Sequence, residues 1–153
     1  MRLSALPRFG TDGERGSSTI EFLAVTVLML VPAVYLVLTL AQVQAAAFAA
    51  EGAAREAGRH LAQADSFQDG MATATRAVEL AFDDQGIEVD GARALAVECS
   101  QDPCLSPGAH VAVEVATDVD LPLVPDIVRD VVPAAVPVSA AHVVAVPQFR
   151  ETA

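Results

Sequence analysis

The sequence predicts an α+β protein in which a long N-terminal transmembrane helix extends into a small head. No charged residue occurs from Phe22 to Ala50, and the strongly apolar part, Phe22 to Ala41, has the roughly 20 residues that a bilayer-spanning helix needs. Apolar residues then recur at helical spacing, and the rest of the chain alternates polar with apolar residues. We therefore expect the head to pack one helix on a three- to four-stranded antiparallel sheet.

Composition limits the class of protein. The chain has 153 residues, of which 53% are hydrophobic, and this length suits one small domain plus an anchor rather than two full domains. Nucleic acid is not expected as a partner, because 9 basic residues against 20 acidic ones leave no cationic footprint for phosphates. The acidic balance suits a soluble face outside the cytoplasm.

The N-terminal segment predicts a single-pass membrane protein. Arg2, Arg8 and Arg15 all precede the apolar run, so the positive-inside rule keeps the N-terminus in the cytoplasm and exports the rest. The expected location is the cytoplasmic (inner) membrane, with the lipid bilayer as one partner and the C-terminal domain extracytoplasmic. Pro32 lies inside the run and removes one backbone hydrogen bond, which a membrane helix tolerates.

The helix is expected to continue beyond the apolar run. Residues Gln42 to Ala64 are rich in alanine and contain no proline, a composition that favours helix. One interpretation is that the small residues allow a neighbouring helix to approach closely; the other is that they only reflect a biased composition. The residues concerned are Ala45, Ala46, Ala49, Ala53 and Ala57.

A second helix is predicted from about Met71 to Asp84, ending at Gly86. Its apolar stripe is expected to pack on the sheet and comprises Phe67, Met71, Ala74, Val78 and Phe82. Three strands are then predicted within residues 92–100, 109–121 and 136–149, each with one face on the core. A short helical turn is expected between the second and third strands.

Two cysteines, Cys99 and Cys104, lie in the loop that joins the first two strands. A metal half-site is one interpretation, but no second Cys pair or His cluster completes four ligands. Asp102-Pro103 favours a turn between them, so we prefer a disulfide in an extracytoplasmic domain.

Catalysis has little support in the sequence. The three histidines, His60, His110 and His142, are far apart in the chain, although the last two fall in neighbouring predicted strands. The acidic run from Asp83 to Gly91 does not match an EF-hand loop. No nucleotide, hydrolase or zinc-protease motif occurs, so we predict no catalytic residue, no metal, no cofactor and no enzyme activity.

The N-terminus combines three features that agree with one another. A short basic leader ends in Gly16, Glu21 is the fifth residue after it, and the apolar helix begins at Phe22. This arrangement resembles the class III signal of type IV pilin-like proteins. The resemblance implies that a prepilin peptidase cuts between Gly16 and Ser17. It also implies that Glu21 and the apolar helix that begins at Phe22 mediate assembly, with Glu21 pairing with the new amino group of a neighbouring subunit.

The segments "GSSTIEF" and "AAREAGR", the latter at Ala53 to Arg59, extend this resemblance. Together with the apolar helix they resemble the TadE-like pilus-assembly proteins of tight-adherence (Flp-type) systems. The resemblance implies a pseudopilin or minor pilin that acts in pilus biogenesis and adhesion. Its implied partners are the prepilin peptidase, other pilins or pseudopilins and the Tad-type assembly machinery, and the cell-surface pilus becomes a further location. The implied domains are a leader (residues 1–16), a membrane and extended helix (17–64) and the head (65–153).

Two other interpretations remain open. In the first interpretation the apolar run is a signal peptide, and a cut near Ala47 releases a secreted domain. The second makes the helix a plain anchor for an extracytoplasmic interaction domain. That interpretation explains every feature except the spacing between Gly16 and Glu21.

Overall fold

The computed structural model describes residues 17–122, 124 and 134–149, and it confirms the α+β class. The elements follow one another as α1 (Ser17–Gln63), α2 (Phe67–Asp83), α3 (Gly91–Ala94), β1 (Leu95–Cys99), β2 (His110–Asp120) and β3 (Ala135–Ala145). The chain divides into two compact units, Met1–Leu38 and Thr39–Ala153. The division falls inside α1, so the last part of this helix belongs to the second unit.

The first unit contains the apolar part of α1. The helix has an 18-residue window with a mean hydropathy of 2.5, and none of that window is buried. Large apolar side chains project on all sides, which is typical of a helix surrounded by an apolar medium. This part of α1 is long and apolar enough to cross a bilayer.

In the second unit, the end of α1 supplies much of the hydrophobic core. Ala46, Ala49, Ala53 and Ala57 are buried with Leu61 in this core, and Ala45 is half-buried. Of the five alanines for which a neighbouring helix was one interpretation, four therefore lie in the core of their own chain. Small side chains suit this position because they let the sheet approach the helix backbone.

Gly58 is a position at which α1 packs closely on the sheet. A Cβ atom added there would lie 3.3 Å from Val144 Cγ1, with Val113 Cγ2 and His142 Cδ2 also near. Such a contact is tighter than most side-chain contacts, so glycine fits where alanine would push on β3.

Helix α2 begins at Phe67, four residues earlier than predicted. The Ser66 Oγ atom accepts a hydrogen bond from the Asp69 backbone N–H at 3.1 Å and caps the first turn. Ala74, Val78 and Phe82 are buried as predicted, whereas Met71 is half-buried and Phe67 is exposed. The stripe therefore packs on the core only from its second turn onward.

Gly86 follows the end of α2, as predicted, with a φ of 69°. The Gly86 N–H donates to the Asp83 carbonyl, and the Ile87 N–H donates to the Phe82 carbonyl. This pair of bonds satisfies the last carbonyls of a helix and requires a left-handed residue, which glycine provides without strain.

The sheet has the order β1-β2-β3, and both pairs of neighbours are antiparallel. The predicted alternation in β2 is confirmed: Val111, Val113, Val115 and Val119 are buried, while the acidic residues Glu114, Asp118 and Asp120 are exposed. One face of the sheet therefore covers the core and the other carries small and acidic side chains.

The short helix α3 was not predicted; the Asp90 side chain caps it by accepting from the Ala92 and Arg93 N–H groups. The helical turn predicted between β2 and β3 falls largely outside the described residues.

Candidate membrane anchor and processing site

The predicted cut site lies at the edge of the described residues. Gly16 is outside them, and Ser17 is the first residue of α1. The peptide bond between these two residues is therefore known from the sequence alone. The structure adds that the chain is helical directly after it.

Glu21 lies one turn into α1 and is exposed. Its carboxylate forms no salt bridge with any residue that the structure describes. Phe22 follows it with 70% of its surface exposed, and the next charged residue along the chain is Glu51. A lone carboxylate at the edge of a membrane-length helix is costly in an apolar medium unless a cation reaches it.

The apolar helix continues without interruption past Glu21. Pro32 is inside α1, and the helix is maintained on both sides of it. The Thr26 hydroxyl donates to the Phe22 carbonyl at 2.8 Å, so this polar group is satisfied within its own helix. The Thr26 hydroxyl therefore needs no hydrogen bond to a neighbouring helix.

At the head end, α1 is fixed to the sheet by a polar contact that the sequence did not predict. The Gln42 side-chain amide donates to the Asp120 backbone carbonyl at 3.2 Å. The buried residues Ala46, Ala49 and Ala50 follow directly. The segment proposed for signal-peptidase cleavage, near Ala47, thus lies within a helix that is packed into the core.

Cys99 and Cys104 lie at disulfide-bonding distance, with their Cα atoms 5.2 Å apart. The bond closes the β1–β2 loop, in which the Ser100 hydroxyl also accepts from the His110 N–H at 2.8 Å. Within the described residues no group of three or more His, Cys, Asp and Glu side chains is placed to hold a metal ion.

His110 and His142 lie in neighbouring strands, as predicted, but their side chains are not brought together. His142 pairs with Val113, whose side chain is in the core, whereas His110 pairs with Ala145 at the far end of the strand pair and is exposed. The two imidazoles therefore lie on opposite faces of the sheet, because side chains alternate along a strand.

A charged cluster near the end of α1 was missed. The Arg59 guanidinium donates to both Glu56 carboxylate oxygens, and His60 Nε2 lies 3.2 Å from Glu56 Oε1. The hydrogen bond from Arg59 lowers the pKa of Glu56, and the guanidinium charge acts in the same direction. The i,i+3 and i,i+4 spacing in "EAGRH" was the signal that could have predicted it.

This cluster borders a shallow groove of about 400 Å³ between α1 and α2. Arg76 and Asp84 of the α2 side join Glu56 and His60 around an apolar floor that includes Leu80. The mixed charges and open shape give the groove no preference for one ligand charge.

Comparison with protein-family models, curated proteins and solved structures gave no match. The resemblance to TadE-like proteins is therefore carried by the residues from Gly16 to Arg59, and any function drawn from it is a proposal.

Proposed function

We propose that this chain is a TadE-like pseudopilin or minor pilin that acts in the biogenesis of a type IV (Tad/Flp) pilus. The observation that carries the proposal is Glu21, an exposed carboxylate with no salt-bridge partner in the described chain, five positions after Gly16 and next to an exposed apolar helix. Neither a plain anchor nor a signal peptide accounts for that carboxylate.

Cleavage after Gly16 supplies the missing cation. Hydrolysis of the Gly16–Ser17 peptide bond leaves a positively charged amino group on Ser17, one helical turn from Glu21 along the chain. Packing of subunits brings this amine to the carboxylate of a neighbour in a low-dielectric medium, where an unpaired charge is expensive. The same cost disfavours packing out of register.

The core of the head supports retention of α1 and argues against the secreted alternative. A cut near Ala47 removes Ala46 from the core and opens α1 beside the buried residues Ala49 and Ala50. It also removes Gln42 and its hydrogen bond to β2. A released domain would therefore lose part of its own core.

The cysteine pair supports an extracytoplasmic head. Disulfides persist in oxidising compartments and are rare in the cytoplasm, and Cys99 and Cys104 are at bonding distance. This location agrees with the arginine-rich N-terminus remaining in the cytoplasm.

The first experiment is to determine the N-terminus of the protein recovered from its native membrane, by intact mass and terminal sequencing. We expect a chain that begins at Ser17, with or without an added methyl group. Gly16→Leu should abolish this processing, whereas Gly13→Leu, a matched change within the leader, should not. A start near Ala47 would establish the secreted domain, and an intact Met1 would leave the plain anchor.

The role of Glu21 is tested separately. Glu21→Ala should leave processing and membrane insertion intact but prevent incorporation into pili, because the amine of the neighbour loses its counter-ion. Thr26→Ala is the control, since its hydroxyl bonds only within its own helix. Normal piliation with Glu21→Ala would remove the basis of the proposal.

A further inference from the structure

Strand β3 forms one edge of the sheet, and half of its backbone groups point away from β2. The sheet order is β1-β2-β3, so β3 has one neighbour among the described strands. Just before β3, the Leu121 N–H donates to the Ala134 carbonyl. Just after β3, the Val146 N–H donates to the Ala109 carbonyl. Both bonds assign the even-numbered residues of β3 to the ladder with β2, so the odd-numbered residues direct their N–H and C=O groups outward.

The outward groups form a continuous row at the end of β3. They belong to Ser139, Ala141, Val143 and Ala145, which are all exposed, Val143 by 60%. None of their backbone groups takes part in a loop or cap hydrogen bond among the described residues. Pro137, the preceding outward position, has no N–H to offer and marks where the row begins.

The edge formed by β3 lacks most of the features that protect such edges. Proteins usually blunt an edge strand with charged side chains, a β-bulge or proline. The 11 residues of β3 include no Asp, Glu, Lys or Arg, and their register with β2 is continuous from Ala135 to Ala145. Pro137 protects only the first part. An open, regular and uncharged edge is the kind of surface to which an extended backbone adds.

The outer face of the sheet beside this edge is acidic. Glu114 pairs with Ala141, and Asp118 pairs with Pro137, so both carboxylates are in the strand next to β3. Both are exposed, and neither forms a salt bridge with a described residue. The three strands contain no lysine or arginine. The short side chain of Ala141 leaves Glu114 accessible from the edge.

We propose that the edge of β3 binds an extended segment of another protein, which adds as a fourth strand and carries lysine or arginine on the outer face. Its backbone pairs with the outward groups from Ser139 to Ala145, and its cationic side chain crosses Ala141 towards Glu114. Strands in a sheet are about 5 Å apart, so Glu114 is about 10 Å from the added strand, within reach of a long cationic side chain. The hydrogen bonds provide affinity and the charges select the sequence.

A second copy of this chain fits the edge poorly. Antiparallel pairing of β3 with itself relates the two copies by a two-fold axis perpendicular to the sheet. The end of α1 runs along the sheet, because Ala46, Ala53 and Leu61 are buried in the same core. That axis therefore reverses the direction of α1. Copies anchored in one membrane, as the proposed function requires, leave the bilayer in the same direction.

The first test measures binding of a labelled peptide to the detergent-solubilised full chain by fluorescence anisotropy. Lysine and valine alternate in the peptide, which is long enough to span residues 139–145. A peptide with glutamate in place of lysine is the charge control. We expect saturable binding of the lysine peptide, and binding of the glutamate peptide weaker by about tenfold or more, because like charges then face each other. Absence of binding, or equal binding of both peptides, would overturn the inference.

Methylation of the peptide nitrogens tests the strand pairing without any change to the protein. In an extended peptide the amides of the lysines point to one edge and those of the valines to the other. Methylation of one set blocks one edge, so we expect binding to be lost with one set only. Loss with the lysine set indicates antiparallel pairing, since directly opposite residues then exchange hydrogen bonds. Equal effects of the two sets would exclude strand addition.

Variants of the protein locate the site. Ala141→Pro removes one outward N–H and should weaken binding by about tenfold. The strand already accepts a proline at the outward position Pro137. Glu114→Gln should weaken binding by about two- to fivefold, as the loss of an exposed ion pair does. Glu98→Gln, in β1 and one strand further from the edge, is the matched control and should bind normally.

Three further results would contradict the proposal. Normal binding by Ala141→Pro would exclude this edge, and equal effects of Glu114→Gln and Glu98→Gln would exclude the charge contact. A dimer of the chain that the peptide dissociates, measured by light scattering, would place a second copy on the edge. The proposed function fails by a different measurement, an N-terminus at Met1 or near Ala47.

Discussion

The two parts of α1 are one continuous helix, but they differ in which side chains are exposed and which are buried. Before Leu38 the large side chains are exposed and nothing in the window of highest hydropathy is buried. After Thr39 the buried residues are mainly alanines, and they lie within the core of the head. Large exposed residues indicate that the surroundings are apolar, whereas small buried residues indicate that another element of the chain comes close.

This difference shows that hydrophobicity alone does not identify a core. Among the described residues, the buried core begins at Ala46, in the less hydrophobic part of α1.

Leu61→Ala should produce the largest loss of stability. Leu61 is fully buried, and truncation of a buried leucine costs about 2–5 kcal/mol in transfer and cavity terms. Leu36→Ala, the same change in the exposed region, should leave the head unaffected. Hydrogen exchange of the β2 amides in the detergent-solubilised full chain measures both. Equal protection in the two variants would contradict the division of α1.

Leu30→Arg should impair membrane insertion of the part of α1 before Leu38 and leave the fold of the head unchanged. An arginine at the centre of a membrane helix costs about 2.5–3.5 kcal/mol for insertion, so the membrane-integrated fraction should fall. Gln63→Arg, at the exposed end of α1, should integrate normally. Carbonate extraction of membranes measures the fraction. Full integration of Leu30→Arg would show that lipid does not surround this part of the helix.

Cys104→Ser should destabilise the head by roughly 2 kcal/mol, the loop-closure entropy of a short bridge. The two cysteines are separated by only five positions, which limits the effect. A reductant should lower the protection of the β1 and β2 amides in the natural sequence and leave the variant unchanged. Equal sensitivity of both proteins to the reductant would rule out the bond.

Glu56→Gln should have the smallest effect, because the Glu56–Arg59 pair is on the surface. Arg59 holds the pKa of Glu56 below its ordinary value of 4.5. The contribution of the pair is therefore complete above pH 4.5 and is lost as the pH falls through the lowered pKa. The unfolding temperature of the variant should be slightly lower than that of the natural sequence at pH 7. The two temperatures should be equal in strong acid or in molar salt. If the difference in unfolding temperature grew as the pH fell, the pKa of Glu56 would not be lowered in the folded protein.

Much of the fold could be predicted because its signals are local. The alternation of valines with acidic residues in β2 fixes which face is buried, and charge-free length identifies the apolar helix. The start of α2 was missed although Ser66 and Asp69 have the spacing of a helix cap.

The partner of the alanine-rich face could not be predicted in the same way. Periodicity shows that Ala46, Ala49 and Ala53 share a face, but a sheet and a neighbouring helix both fit small residues. The choice depends on β3, which begins more than 80 residues later at Ala135. The proposed cut site would depend on recognition by another protein, so the sequence carries it only as a spacing, and the structure describes only the helix that begins at Ser17.

The contact of Gly58 with Val144 has a consequence for how the protein folds during its synthesis. The core joins a helix that ends at Gln63 to a strand that begins only at Ala135, so the helix is synthesised well before its partner strand. The alanine-rich face of α1 therefore lacks its contacts with β3 until that strand has been synthesised. Such long-range closure is slow compared with local folding. A nascent chain arrested before Ala135 should bind general chaperones through this face, and extension of the chain beyond β3 should end that binding.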